Sequence, residues 1–291
     1  MSRRARFAWV LNLDAEFELE KPSFNATDRL IEQLAKYGVA SRALLGPEDV
    51  LVREGVDCPS EYVGRAWCPT PRALYAMRNA GVAPEPHPSV AVLRRVNHRR
   101  FAVELGGGLP HQRFVETRHE LEAILARAEH PWLLKRPLAF AGRGQMRFYG
   151  TLDAKQSAWI DASLRTAGLV VEPFVDIEAE FSVHGFIWPD GRFEVGRFCA
   201  QDVSARGVFL GVRLARPEEL FESERRALAE RAEQVAVALG SAGYFGPFGV
   251  DAYRYRFQSR TDFCSLGEIN ARYSMGFVEG FPRHPSELTL E

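Results

Sequence analysis

The sequence predicts an α/β protein in which a small parallel α/β unit precedes two α+β subdomains that share one cleft. Three observations carry that prediction. Residues 1–85 alternate short apolar runs with amphipathic stretches, in the order strand, helix, strand, helix that builds a parallel sheet. Three prolines within Ala83-Pro84-Glu85-Pro86-His87-Pro88 mark a boundary. Beyond it, alternating β runs joined by turn signals such as Pro189-Asp190-Gly191 predict antiparallel strands between capped helices. The expected units are therefore 1–88, 89–170 and 171–291.

Taken in order, Phe7–Leu13 has the length and apolarity of a strand, and the acidic segment Asp14–Glu20 with Lys21-Pro22-Ser23 reads as a loop. Thr27 can cap a helix to about Tyr37, with Leu30, Ile31 and Leu34 on one face and Gly38 as its stop. Val39–Leu45 then reads as a second strand. Thr70-Pro71 opens a helix that Gly81 ends. A helix through Asn97–Leu105 runs into Gly106-Gly107-Gly108, and Thr117 with Glu120 forms a capping box for a helix to about Ala128. Trp132–Lys135 is a strand. Asp153 with Gln156 caps a helix to Ala167, and Gly168 precedes the apolar run Leu169–Val171. Glu180–Trp188 and Arg192–Ala200 form a hairpin, and Pro217 starts a long amphipathic helix to about Leu239. The last strands are expected at Phe248–Phe257 and Asp262–Asn270, joined by Gln258-Ser259-Arg260-Thr261.

Composition excludes more than it identifies. The 291 residues are 46% hydrophobic and 26% charged with a net charge of −1, which gives no electrostatic reason to expect nucleic acid or an anionic membrane. Cys58, Cys68, Cys199 and Cys264 show no metal-ligand spacing and read as reduced thiols. The basic start is followed by an apolar run that stops at Asn12, too short for a signal peptide or a membrane span, so a cytoplasmic location is expected. Neither G-x-G-x-x-G nor a Walker A pattern occurs.

The candidate chemistry concentrates in Glu268-Ile269-Asn270-Ala271-Arg272. Strand alternation turns Glu268, Asn270 and Arg272 to one face. A carboxylate, an amide oxygen and a guanidinium suit a divalent cation and the phosphates it bridges, although a solvated strand face explains the triplet equally well by itself. Counting back from a four-residue loop pairs Phe257 with Asp262 and sets Asp251 opposite Glu268, with Cβ atoms about 4.5–5.5 Å apart. Two carboxylates so close repel unless a cation lies between them, and Asn270 completes an oxygen set for Mg²⁺. Upstream, Lys135 ends a strand before a loop holding Gly142 and Gly144, which can cradle a phosphate with backbone N–H groups. Glu172 closes the Leu169–Val171 run, and Glu180 opens the next strand; each taken singly is better explained as a surface carboxylate.

In this order the residues resemble the ATP-grasp superfamily over most of residues 95–280. Lys135 and Ala139–Gln145 look like the family's strand-end lysine and glycine loop. Val170-Val171-Glu172-Pro173-Phe174-Val175 looks like the hinge that reads adenine, with Glu172, Phe174 and Val175 as nucleotide contacts. Glu180 in Glu180-Phe181-Ser182-Val183 matches the ribose-binding acid, and Asp251, Glu268 and Asn270 match the metal ligands. The E-x-N-x-R form is similar to that of the biotin carboxylase and carbamoyl-phosphate synthetase branches and adds Arg272 beside Lys135 as a catalytic ligand of phosphate or substrate. A lysine often found before the core is replaced by arginine, Arg99 or Arg100. The resemblance implies ATP with Mg²⁺ or Mn²⁺, and a ligase that joins a carboxylate to an amine through an acyl phosphate. A small-molecule kinase and a non-catalytic ATP-binding protein are the alternatives. Amino acids or short peptides are candidate substrates, Arg206, Arg213 and Arg216 are candidates to bind a substrate carboxylate, and a homodimer is a common arrangement for such enzymes. These 291 residues hold no biotin-carrier or amidotransferase segment, so the named branches are expected to model the site and not the substrate.

Overall fold

The computed structural model of the chain describes residues 5–126, 130–139, 144–203 and 209–290. Its first unit comprises β1 (Arg6–Val10), α1 (Ala15–Glu20), α2 (Asp28–Ser41), β2 (Val50–Leu51), β3 (Tyr62–Ala66) and α3 (Pro71–Asn79). The three strands form a parallel sheet in the order β2-β1-β3, as the strand–helix alternation predicts. Two local expectations fail. The segment expected as a loop from Asp14 is helix α1, because its acids are not solvated: Glu16 and Glu18 are buried and ion-paired to Arg272 and Arg72. Val39–Leu45 is not a strand, since α2 runs through Gly38 and continues into a 3₁₀ turn at Arg42–Leu44. The second strand is the two-residue β2 further on.

The middle unit begins with α4 (Val90–Asn97) and α5 (Arg99–Leu105), a pair where a single helix was expected. Then come β4 (Arg113–Val115), α6 (Arg118–Leu125), β5 (Trp132–Lys135), β6 (Gln145–Phe148), α7 (Ala154–Thr166) and β7 (Leu169–Pro173). Both capping boxes form, Thr117 with Glu120 and Asp153 with Gln156. The strands make an antiparallel sheet in the order β4-β7-β5-β6. Alternation on β5 sends Trp132 and Leu134 into a core with Leu121 and Ile160, leaving Leu133 and Lys135 on the opposite face. The boundary expected at residue 170 falls inside β7, which belongs to this sheet through Pro173.

The last unit is a five-stranded antiparallel sheet in the order β10-β9-β8-β11-β12, built from β8 (Asp176–Ile187), β9 (Phe193–Val203), β10 (Phe209–Leu214), β11 (Gly246–Phe257) and β12 (Arg260–Asn270). Helix α8 (Glu222–Ser241) begins after Pro217, and the single turn α9 (Phe277–Gly280) follows β12. One sheet face carries Phe181, Val183, Phe248 and Val250, which pack with Leu228 and Val235 of α8. The same core takes in Trp9 and Trp67, so the first and last units are consolidated by shared apolar burial. The other sheet face is polar, and it faces the middle unit. No helix among the described residues is long and apolar enough to cross a membrane.

Candidate active site

The polar sheet face is fixed by register. Glu180 pairs with Tyr253 and Gln201, Ser182 with Asp251, and Asp251 with Glu268, so these side chains share one side of four adjacent strands. The Asp251–Glu268 pairing is the one expected, but it arises differently. The turn is two residues, Gln258 and Ser259, both with positive φ (47° and 65°), and Phe257 pairs with Arg260. An irregularity between Asp251 and Tyr253 then shifts the register by two residues and restores the Asp251–Glu268 pair.

Burial first, and Glu268 second, push the Asp251 carboxyl up to about 7. Asn270 Nδ2 donates to Asp251 Oδ2 at 2.8 Å and works in the opposite direction. The set of two carboxylates and an amide is hard and oxygen-rich, so it suits Mg²⁺, and a cation there would relieve the like-charge contact. Among the described residues no three of His, Cys, Asp and Glu form a metal cluster.

Opposite this floor, the middle unit supplies Lys135 at the end of β5. Its Nζ lies 2.5 Å from Glu172 Oε1, and Gln112 Nε2 donates to Glu172 Oε2 at 2.7 Å. Gly144, with φ 65°, turns the chain back so that its carbonyl accepts from Arg136 N at 2.8 Å. Gly142 lies outside the described residues. Phe174 N donates to Pro131 O at 2.9 Å, which anchors the connection from β7 to β8. Lys135, Glu172, Phe174, Val175 and Glu180 all line one cavity of about 1050 Å³ between the two antiparallel sheets. Burial pushes the Glu180 carboxyl pKa up.

Other expectations are corrected or sharpened. Strand alternation does not extend to Arg272: β12 ends at Asn270, and the chain turns there with Arg272 N donating to Asn270 O at 2.9 Å. The Arg272 guanidinium is buried, ion-paired to Glu16 and set over the Trp67 ring at 5.3 Å. It therefore faces α1 of the first unit. Of the two candidate arginines, Arg99 is the one at the site: it is 8% exposed and its Nη2 lies 2.8 Å from Glu268 Oε1. Arg100 is directed outward to Glu104 and Glu116. Arg206 lies outside the described residues. Arg213 and Arg216 both pair with Glu219, at 2.6 and 2.9 Å, so a substrate carboxylate would have to displace it.

Sequence reading also missed participants. Gln112 holds Glu172 from a loop, with no periodicity to reveal it. His184 was legible in principle, since alternation from Glu180 places it on the same face.

No protein-family model and no curated protein matches this sequence. The fold is like that of ATP-grasp enzymes. Among solved structures the chain is similar to an N5-carboxyaminoimidazole synthetase from Staphylococcus aureus complexed with ADP, at 12% identity and TM-score 0.57, covering 99% of this chain and 76% of that one. It is similar to a D-alanyl-alanine synthetase A from Vibrio cholerae at 12% identity and TM-score 0.56, covering 99% and 92%. It is also similar to a carboxyaminoimidazole ribonucleotide synthase from Aspergillus clavatus complexed with ATP, at 14% identity and TM-score 0.53, covering 99% and 78%. Against another N5-carboxyaminoimidazole ribonucleotide synthetase the chain spans 54% of the other's length, and against a Rhizobium etli pyruvate carboxylase 26%. At these identities the likeness concerns the fold.

Proposed function

We propose that the chain is an ADP-forming ligase that uses ATP to join a carboxylate to an amine. The observation that carries this is the convergence of Lys135, Glu172 and Glu180 on one cavity, with Asp251, Glu268 and Asn270 further along the sheet face that holds Glu180. Neighbours of the same fold bind ADP or ATP, which supports the nucleotide assignment.

In this reading Phe174 and Val175 flank the base, Glu172 fixes Lys135 toward the phosphates, and Glu180 accepts from the ribose hydroxyls. Asp251, Glu268 and Asn270 would hold a divalent cation, which when bound supplies positive charge to the phosphate oxygens. Lys135 and Arg99 add positive charge at the same place. The substrate carboxylate oxygen attacks the γ-phosphorus, the bond to the β-phosphate oxygen breaks, and ADP leaves. The amine nitrogen then attacks the acyl carbon, loses a proton, and phosphate departs with the C–O bonding pair. The chain's own contribution is positioning and charge neutralisation, and no protein nucleophile is required.

The test is ADP release measured with panels of amino acids and short peptides. Release that needs both a carboxylic acid and an amine is expected, and Glu268→Gln should lower it by about 10²-fold or more while circular dichroism stays unchanged. A stable phosphorylated product formed without an amine would overturn the ligase assignment in favour of a kinase.

A further inference from the structure

Arg99 is the first residue of α5 and lies almost wholly out of solvent. Its guanidinium is committed in two directions. Nη2 pairs with Glu268 Oε1 at 2.8 Å, and Nη1 donates to Arg136 O at 2.6 Å. Its backbone N–H donates to Pro137 O at 3.0 Å. Arg136 and Pro137 directly follow Lys135 and begin the glycine loop, so one side chain ties the root of that loop to a carboxylate of the metal set.

This has an electrostatic consequence. Glu268 faces Asp251 across paired strands, and that repulsion is what a divalent cation would relieve. Arg99 already supplies a positive charge to Glu268, through a charge-assisted contact in which the arginine side chain is 9% exposed and the carboxylate 36%. Arg272, whose field also reaches Asp251 and Glu268, is ion-paired to Glu16. A cation binding Glu268 must therefore compete with the Arg99 pair. A nucleotide phosphate offers the guanidinium another anionic partner and so removes the competition.

We propose that Arg99 stands in for the divalent cation at Glu268 in the nucleotide-free protein, so that the metal set is weak alone and becomes strong only when a polyphosphate draws Arg99 away. Metal and nucleotide then bind with positive coupling, each raising the affinity of the other by the same factor. The proposal deepens the ligase reading and rests on its metal assignment.

The test is Mn²⁺ binding by calorimetry and by the spin-resonance signal of free Mn²⁺, on the whole chain, with and without a non-hydrolysable ATP analogue. Wild-type protein is expected to bind Mn²⁺ weakly alone and much more tightly with the analogue. Arg99→Gln should tighten Mn²⁺ binding to the nucleotide-free protein by about tenfold to a hundredfold, the range a charge-assisted contact represents, and should shrink the coupling. Arg100→Gln removes the same charge from the neighbouring exposed position and should leave both unchanged. Arg99→Lys keeps the charge without the two-way reach, and it replaces Arg99→Gln if that variant does not fold; it should give an intermediate gain.

Equal Mn²⁺ affinity for wild type and the Arg99 variant without nucleotide would overturn the proposal while leaving the metal set intact. So would wild-type affinity that is the same with and without the analogue. If Mn²⁺ binds to neither protein even with the analogue, the metal assignment itself fails and the proposal with it.

Discussion

His184 is 3% exposed, with its imidazole between Ser182 Oγ at 3.1 Å and Ser274 Oγ at 3.0 Å. The pocket is tight, since a Cβ on Gly276 would come within 2.4 Å of Nε2. Burial pushes the His184 pKa down to about 4, so the folded protein holds this ring neutral. The unfolded chain, with an ordinary value near 6.5, binds a proton that the native state refuses. This stabilising contribution is therefore complete above about pH 6.5 and is lost as pH falls toward 4. Between pH 8 and pH 5 the loss amounts to about 2 kcal/mol. Asp251 works the other way: its pKa is raised to about 7, so acidification favours the fold there. Wild type alone would hide the two opposed effects. A comparison of urea midpoints for wild type and His184→Gln at both pH values isolates the histidine. The variant should lose about 2 kcal/mol less than wild type on acidification, and equal losses would show that the ring is not held neutral.

The β11–β12 hairpin shows how an element can be read correctly for incomplete reasons. Its turn holds Gln258 and Ser259 in left-handed backbone, where an L side chain costs about 1 kcal/mol or more per residue. Replacing Gln258 with Asn and Ser259 with Gly supplies residues that tolerate this geometry and should stabilise the chain by about 1 kcal/mol. The measurement is the urea midpoint at constant m-value; a lowered midpoint would contradict the two-residue turn. The sequence holds no Asn-Gly or Asp-Gly there, so the four-residue loop was the natural reading, and the later register irregularity left no signal in composition. Period-two alternation is insensitive to shifts of two, so the shared face of Asp251 and Glu268 survived, and the irregularity between Asp251 and Tyr253 restored the pair itself. Arg272 departs from that alternation, since β12 ends at Asn270 and nothing local marks that end. Helix α1 was missed for a related reason. Its burial is achieved by ion pairs to Arg72 and Arg272, residues distant in sequence, whereas Thr117 and Asp153 declare their helices through contacts three residues away.

Across the whole molecule, apolar burial divides unequally. The first and last units share one core that runs from Trp9 through Phe248 to α8, while Val115, Leu121, Trp132, Leu134, Phe148, Ile160, Leu169 and Val171 make a separate, smaller one in the middle unit. A sheet with its own small core is expected to open at lower free energy than the consolidated body. It nevertheless carries Lys135 and Glu172, and Arg99 joins its edge to Glu268 across the cleft. Any ligand gripping both Lys135 and the Asp251–Glu268 floor must therefore stabilise the middle unit most, because that is where the reserve of stability is smallest. At a hundredfold excess over its dissociation constant such a ligand adds about 2.7 kcal/mol. Hydrogen exchange with a non-hydrolysable ATP analogue and Mg²⁺ should slow amides of β5, β6 and β7 more than those of the parallel sheet β2-β1-β3. Uniform slowing across both sheets would mean that the two cores behave as one, and slowing confined to the parallel sheet would put the nucleotide in a different cleft.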